Sequence, residues 1–238
     1  MEPVLVVAGT AALMIVLEQL APNVRQPRVA GWIARLVAIN AVQIGVVYLG
    51  AVSWDAWLSS WRADSLSEWP APVGIAIGYL LITFVYYWWH RARHEIPWLW
   101  RWLHQVHHSP VRIECAMSFY KHPLEILLNG MLSSFVLYVL LGLPVASVAA
   151  VVTLTGLAEL FYHWNVRTPY LLGFLFQRPE MHRRHHQRGW HRSNYSDLPL
   201  WDMLFGTFDN PRATPRHCGF ADGAERRLLS MLIGRRPQ

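Results

Sequence analysis

The sequence predicts an all-α fold: a polytopic bundle of four or five membrane helices or hairpins, with a cytoplasmic helical cap that carries a histidine-rich metal site. Three observations predict it. Five apolar stretches, residues 3–20, 32–53, 73–89, 124–141 and 144–164, approach the ~20 residues an α-helix needs to cross the hydrocarbon of a bilayer. Charged residues are 15% of the chain, against roughly 25% in soluble domains, so a soluble hydrophobic core is disfavoured. Several of the 13 Trp stand where apolar runs end, as suits a membrane interface, where an indole has one wet and one apolar edge.

The connections between these stretches set the orientation. No basic segment precedes residues 3–21, and Glu2 is acidic, so this part reads as a first transmembrane helix rather than a cleaved signal. Arg25, Arg28 and Arg35 surround the first turn, whereas the connection 54–69 sets Asp55, Asp64 and Glu68 against Arg62. Residues 90–121 are basic again, and the part beyond Asn165 holds twelve Arg against six acids. By the positive-inside rule this alternation puts the N-terminus outside and the C-terminus in the cytoplasm, in a multi-pass protein expected in a bacterial inner membrane. The fourth stretch carries Asn129 and Gly130, and reads either as a full span or as one arm of a hairpin, closed by the turn 142–144. Residues 1–72 are then two N-terminal spans, 73–211 the region that carries most of the histidines and 212–238 a basic tail.

A net charge of +6 raises the question of nucleic acid. The basic residues lie beside apolar spans and Lys121 is the only Lys, so anionic headgroups explain them better, with Arg226, Arg227, Arg235 and Arg236 touching the lipid surface. Phe174, Leu175 and Phe176, flanked by Arg167 and Arg178, read as an interfacial helix. Cys115 and Cys218 form no C-x-x-C pair and are expected to be free thiols.

The twelve histidines matter for their arrangement. His90 and His94, spaced i, i+4 at the end of the third span, stack on one face of a helix, as a pair of ligands to one metal requires. In the run from His104 through His107 to His108, His104 shares a face with both later residues, while His107 and His108 diverge by ~100° around the axis. Such a cluster can serve two metals. The pattern returns at His182, His185 and His186. The inferred topology places all eight on one side of the membrane and brings His163 and His122 to the same level. A lone histidine is usually structural, but this convergence predicts metal binding. Ten imidazoles suffice for two ions with open positions. Imidazole suits Fe, Zn, Cu and Ni alike, so ligand type does not select the metal.

At these residues the chain resembles the fatty acid hydroxylase/sterol desaturase superfamily. The matching signatures, in order, are Trp88-Trp89-His90-Arg91-x-x-His94, His104-x-x-His107-His108-Ser109 and Lys121-His122-Pro123-Leu124-Glu125. They continue with His163-Trp164-Asn165-Val166-Arg167, His182-x-x-His185-His186, Asn194-Tyr195 and Trp201-Asp202-x-Leu204-Phe205-Gly206-Thr207. The resemblance implies a non-haem centre of two Fe ions facing the cytoplasm (Zn being able to replace them in a purified form), with O2 as co-substrate. It implies oxidation of an unactivated C–H bond of a membrane lipid. Electrons would come from NAD(P)H through a separate electron-transfer protein, and the chain shows no G-x-G-x-x-G turn of its own.

Carried over position by position, the resemblance makes His90, His94, His104, His107, His108, His163, His182, His185 and His186 ligands. His122 either ligates or caps the helix opened by Pro123, and His191 and His217 are left at the surface or behind the ligands. Glu159, one turn before His163, either orients that imidazole or reaches water. Asn194 and Asp202 are expected to support the site, with Trp201 and Asp202 holding the C-terminal segment beneath it. Two positions depart from the family pattern: Thr83 stands where an Asp is common, which puts a contact to the site in doubt, and Ser196 replaces the Gly of Asn-Tyr-Gly, which puts a tight turn in doubt. Hydroxylation of a fatty acyl lipid or aminolipid is the favoured activity, with desaturation at the same site as the alternative. A metal transporter would need ionisable groups along the spans, which hold almost none, and a zinc-dependent hydrolase would need neither O2 nor reductant. The oligomeric state has no signature in the sequence.

Overall fold

A computed structural model describes residues 3–62, 66–221 and 223–237. Glu2 and Asp64, which entered the topology argument, lie outside the described residues. The chain forms α1 (Pro3–Leu20), α2 (Trp32–Val52), α3 (Trp54–Ser59) and α4 (Ala71–Glu95). Then follow the short α5 (Pro97–Leu99) and α6 (Gln105–His108), joined through a π-helical turn at Trp100–His104. α7 (Pro123–Ser134) runs on through π-helical Phe135–Leu140, and α8 is Val145–His163. The remainder holds α9 (Pro179–His185), α10 (Pro199–Leu204) and α11 (Leu228–Leu232). The described residues contain no strand, so the all-α expectation holds.

Among the described residues four helical segments are long and apolar enough to cross a membrane: Trp32–Ser59, Ala71–Glu95, Pro123–Leu140 and Val145–His163. The fourth apolar stretch therefore has the length of a span. α1 is a shorter apolar helix, lying along α8. Its end is pinned by Glu18, a buried carboxylate that accepts the backbone N–H groups of Cys115 and Asn165, each at 3.0 Å.

α4 and α8 pack against each other, as do α2 and α7. Between α4 and α8 lies an apolar core of Ile82, Leu137, Leu143, Val148 and Val151. It closes tightly at Gly78, where an added Cβ would stand 2.8 Å from Leu143. The return turn after α7 uses Gly142 at φ 66°, in the left-handed region that glycine enters without steric cost. A second core, including Trp32, Leu36, Val106, Tyr120, Cys218 and Met231, binds α2 to the cap and to the C-terminal helix. Cys115 and Cys218 are buried free thiols, as expected.

The expected interfacial helix around Phe174 is a single 3-10 turn, Tyr170–Phe174. Leu171, Phe174, Leu175 and Phe176 are exposed there, but Arg178 points inward. Its guanidinium donates to Thr168 and Asn210 and pairs with Glu180, so it does not reach a headgroup.

Candidate metal centre

Because α4 continues to Glu95, beyond the apolar stretch, His90 and His94 lie on the last turns of one helix. The π turn before His104 widens the backbone at the point where the chain folds back beneath α4, as is common for π turns at functional sites. α9 is held by polar anchors: the buried Arg183 donates to the carbonyls of Ile113 and Pro215, and Glu180 accepts from Thr168.

These elements bring nine histidines into two groups. His90, His94, His104, His108 and His185 form one, and His107, His163, His182 and His186 the other, with the candidate ligand nitrogens of each within 4.8 Å of one another. The divergence of adjacent histidines expected from helical geometry is present. In each H-x-x-H-H run the first and last residues enter one group and the middle residue enters the other, with the roles reversed between the two runs.

The nitrogens suit a metal. Two ligands at ~2.1 Å from one ion, subtending about 90–110°, stand roughly 3.0–3.4 Å apart. The Nε2 atoms of His163 and His182 are 3.0 Å apart, those of His182 and His186 are 3.1 Å apart, and those of His108 and His185 are 3.1 Å apart. The buried Nε2 atoms of His90 and His104 have no hydrogen-bond partner. On the opposite side of several rings, Nδ1–H donates to a fixed acceptor. His90 donates to the Tyr195 carbonyl (2.8 Å), His185 to that of Ser193 (2.7 Å) and His107 to that of Tyr120 (3.2 Å). Such bonds fix the tautomer and leave the Nε2 lone pair facing the group. Burial pushes the imidazoles of His104, His107, His108, His182 and His186 well below their ordinary value, and that of His185 down to about 3. All are neutral at physiological pH, as ligation requires.

Other residues fall where sequence reasoning did not place them. His122 joins neither group, and of its two readings, ligand or cap, the contacts it makes are those of the cap. Its Nδ1 accepts the Leu124 N–H at 3.0 Å, capping α7, and its Nε2 pairs with the Leu232 carbonyl at 3.1 Å. The Glu159 side chain does not orient His163 either. The backbone carbonyl of Glu159 accepts from His163 Nδ1 at 2.8 Å, while its carboxylate pairs with Lys121.

The carboxylate that does support a histidine is Glu125, fully buried, 3.0 Å from His104 Nδ1 and paired with Arg93. Its signal in the sequence was a carboxylate at membrane depth, which needs a partner. His191, left at the surface or behind the ligands, is half-buried, with its Nδ1 3.2 Å from that of His108 and its ring against Trp100. The backbone acceptors at Ser193, Tyr195 and Tyr120 carry no sequence signal.

Asp202 fastens the C-terminal segment. Its carboxylate accepts from the N–H groups of Tyr195 (2.8 Å) and Ser196 (3.1 Å) and from the Thr207 hydroxyl (2.7 Å). Asn194 adopts φ 54°, which Asn tolerates, and its amide donates to the carbonyls of Met181 and Asp209. The turn thus forms without the glycine. Thr83 keeps a tie of its own: its hydroxyl accepts the Trp201 indole N–H at 3.0 Å, and its carbonyl accepts the Ser196 hydroxyl at 3.2 Å.

A cavity of about 220 Å³ adjoins the groups. His90, His104, His107 and His182 line it, as do Val46, Val47, Val152 and Gly156 of α2 and α8. Lys121, Glu159, Tyr162 and Asp197 add polar surface.

Helices long and apolar enough to span a bilayer, with two histidine groups at their ends that could each hold a metal ion and a cavity beside them, define the class: a membrane protein with a histidine-rich metal centre. The fatty acid hydroxylase sequence pattern matches residues 75–207, which take in every histidine of both groups, and the chain belongs to that family. It is 34% identical over 149 residues to ornithine lipid hydroxylase OlsE of Rhizobium tropici, covering 60% of this chain and 44% of the relative. It is 30% identical over 188 residues to the alkylglycerol monooxygenase of Homo sapiens, covering 72% and 40% respectively. A cholesterol 25-hydroxylase-like protein of Danio rerio is 31% identical over 173 residues, covering 68% and 67%. The chain thus spans less than half the length of the first two. No solved structure matches it.

Proposed function

We propose that this protein is a membrane di-iron oxygenase that uses O2 and external electrons to hydroxylate a C–H bond of a lipid. The observation that carries the reading is the cavity, whose lining combines four histidines of the two groups with apolar residues of the candidate spans α2 and α8. The relatives' names include an aminolipid, an alkylglycerol and a sterol; the ornithine lipid hydroxylase, 34% identical, supports an aminolipid substrate. The charge pattern of the connections favours a cytoplasmic centre in a bacterial inner membrane.

His90, His94, His104, His108 and His185 would hold one ion, and His107, His163, His182 and His186 the other. Bound iron supplies the electron-transfer and O2 chemistry. The chain's own residues hold, orient and shield. Glu125 and the carbonyls of Tyr195, Ser193, Tyr120 and Glu159 aim the imidazoles; Asn194 and Asp202 keep the Tyr195 carbonyl in place. The valines of α2 and α8 exclude water from an alkyl chain and set which carbon reaches the histidines. Asp197 holds a proton in the cavity wall: burial pushes its carboxyl up to about 7, and Tyr162 hydrogen-bonds to it. Electrons reach the site from a separate protein supplied by NAD(P)H.

Mass spectrometry of lipids from cells with and without the active protein tests the reading. Hydroxylation adds one oxygen atom, desaturation at the same site removes two hydrogens, and a zinc-dependent hydrolase would act without O2. O2-independent product would overturn the oxygenase reading.

A further inference from the structure

We infer that the C-terminal helix and the turn before His104 together form a binding site for the phosphate group of an anionic membrane phospholipid. Arg101, Arg227, Arg235 and Arg236, with Ser230 and Gly234, line a surface recess of about 680 Å³. Arg101 comes from the π turn and the other three from the C-terminal segment. Among the described residues none of these four guanidinium groups pairs with a carboxylate; the ion pairs are made by other residues. Arg101 Nε is cut off from solvent with no hydrogen-bond partner, a cost that an anion in the recess would remove. Four guanidiniums suit phosphate oxygens, which they can engage in a bidentate manner.

The surroundings select a lipid over free phosphate. Leu229 and Ile233, 79% and 54% exposed, adjoin the lining residues Ser230 and Gly234 in sequence, and Trp102, 46% exposed, lies against Gly234, an apolar border that water alone would not favour. α11 is tied through Leu232 to His122, at the start of the span Pro123–Leu140. Arg101 follows six residues after the end of α4. The recess therefore sits at headgroup depth, where indoles and arginines both find favourable contacts.

The site is also joined to the histidine groups. The Gln105 side-chain amide donates to the carbonyls of Arg101 (2.6 Å), Met231 (3.3 Å) and Arg235 (3.1 Å). Gln105 lies between His104 and His107, so a lipid that holds the C-terminal segment in place also braces the turn that carries three histidines.

The test uses the full chain in neutral detergent. Thermal unfolding is followed with added phosphatidylglycerol, phosphatidylcholine or inorganic phosphate, and native mass spectrometry counts retained lipid. Phosphatidylglycerol is expected to raise Tm and to remain bound, phosphatidylcholine to do neither, and Arg235→Gln/Arg236→Gln to weaken the effect by roughly tenfold or more. If the double variant does not fold, Arg236→Gln alone reads the same contrast. An equal shift from phosphatidylcholine, an undiminished shift in the folded variant, or full reproduction by inorganic phosphate would each overturn the assignment.

Discussion

The rings of His108 and His186 lie face to face, with centroids 4.0 Å apart and planes 13° from parallel, although the two residues belong to different histidine groups. The groups therefore share a wall. Replacing His108 by Ala is expected to lower metal retention at both sites, measured as metal per chain by elemental mass spectrometry. Loss of a single ion with the other fully retained would show the groups to be independent.

His107 and His122 give a sharper contrast. His107→Ala should lower bound metal and abolish O2-dependent product. His122→Ala removes a helix cap and a tie to Leu232, and should cost about 1 kcal/mol of stability while leaving metal content unchanged. Equal metal loss in both variants would restore His122 as a ligand.

Glu125 supports His104 and neutralises Arg93 in a buried setting. Glu125→Gln should weaken metal retention by about 10–100-fold, as losing a carboxylate behind a ligating histidine does elsewhere. It should also cost on the order of 3–5 kcal/mol, because the Arg93 charge is left unpaired. Metal titration and thermal unfolding read the two effects separately.

Asp197 sets a pH dependence. Its carboxyl sits at about 7 in the folded chain against an ordinary value of 3.8, with burial and then Glu159 raising it and Lys121 opposing them. The folded state thus binds the proton more tightly than the unfolded state, so this group's contribution to stability is fully present below about 3.8, is lost progressively as pH rises from there to about 7, and does not change further above it. Asp197→Asn removes the charge and should raise Tm at pH 8 relative to wild type, with a smaller gain at pH 5 and none near pH 3. A gain equal at all three pH values would assign the effect to packing.

Much of the centre was legible because helical periodicity is local. The i, i+4 spacing of His90 and His94 and the H-x-x-H-H runs predict shared and divergent faces from the sequence alone, and the ends of apolar spans predict a common level. What escaped was non-local. His122 chooses between capping and ligation according to whether Leu232, 110 residues away, comes to meet its Nε2. Glu159 has the right spacing to orient His163, but the proximity of Lys121 draws its carboxylate away. The carbonyls that orient His90 and His185 belong to a loop whose path is set by Asp202 and Asn194, and backbone acceptors leave no mark on residue identity.

The most direct test of the di-iron lipid hydroxylase is an oxygen-isotope experiment with the purified protein, loaded with iron and supplied with a reducing system and membrane lipid. Under heavy-isotope O2 gas the account predicts a lipid product carrying one heavy oxygen atom, formed in proportion to bound iron and absent from His107→Ala. Product whose added oxygen comes from water, or product formed without O2, would contradict it.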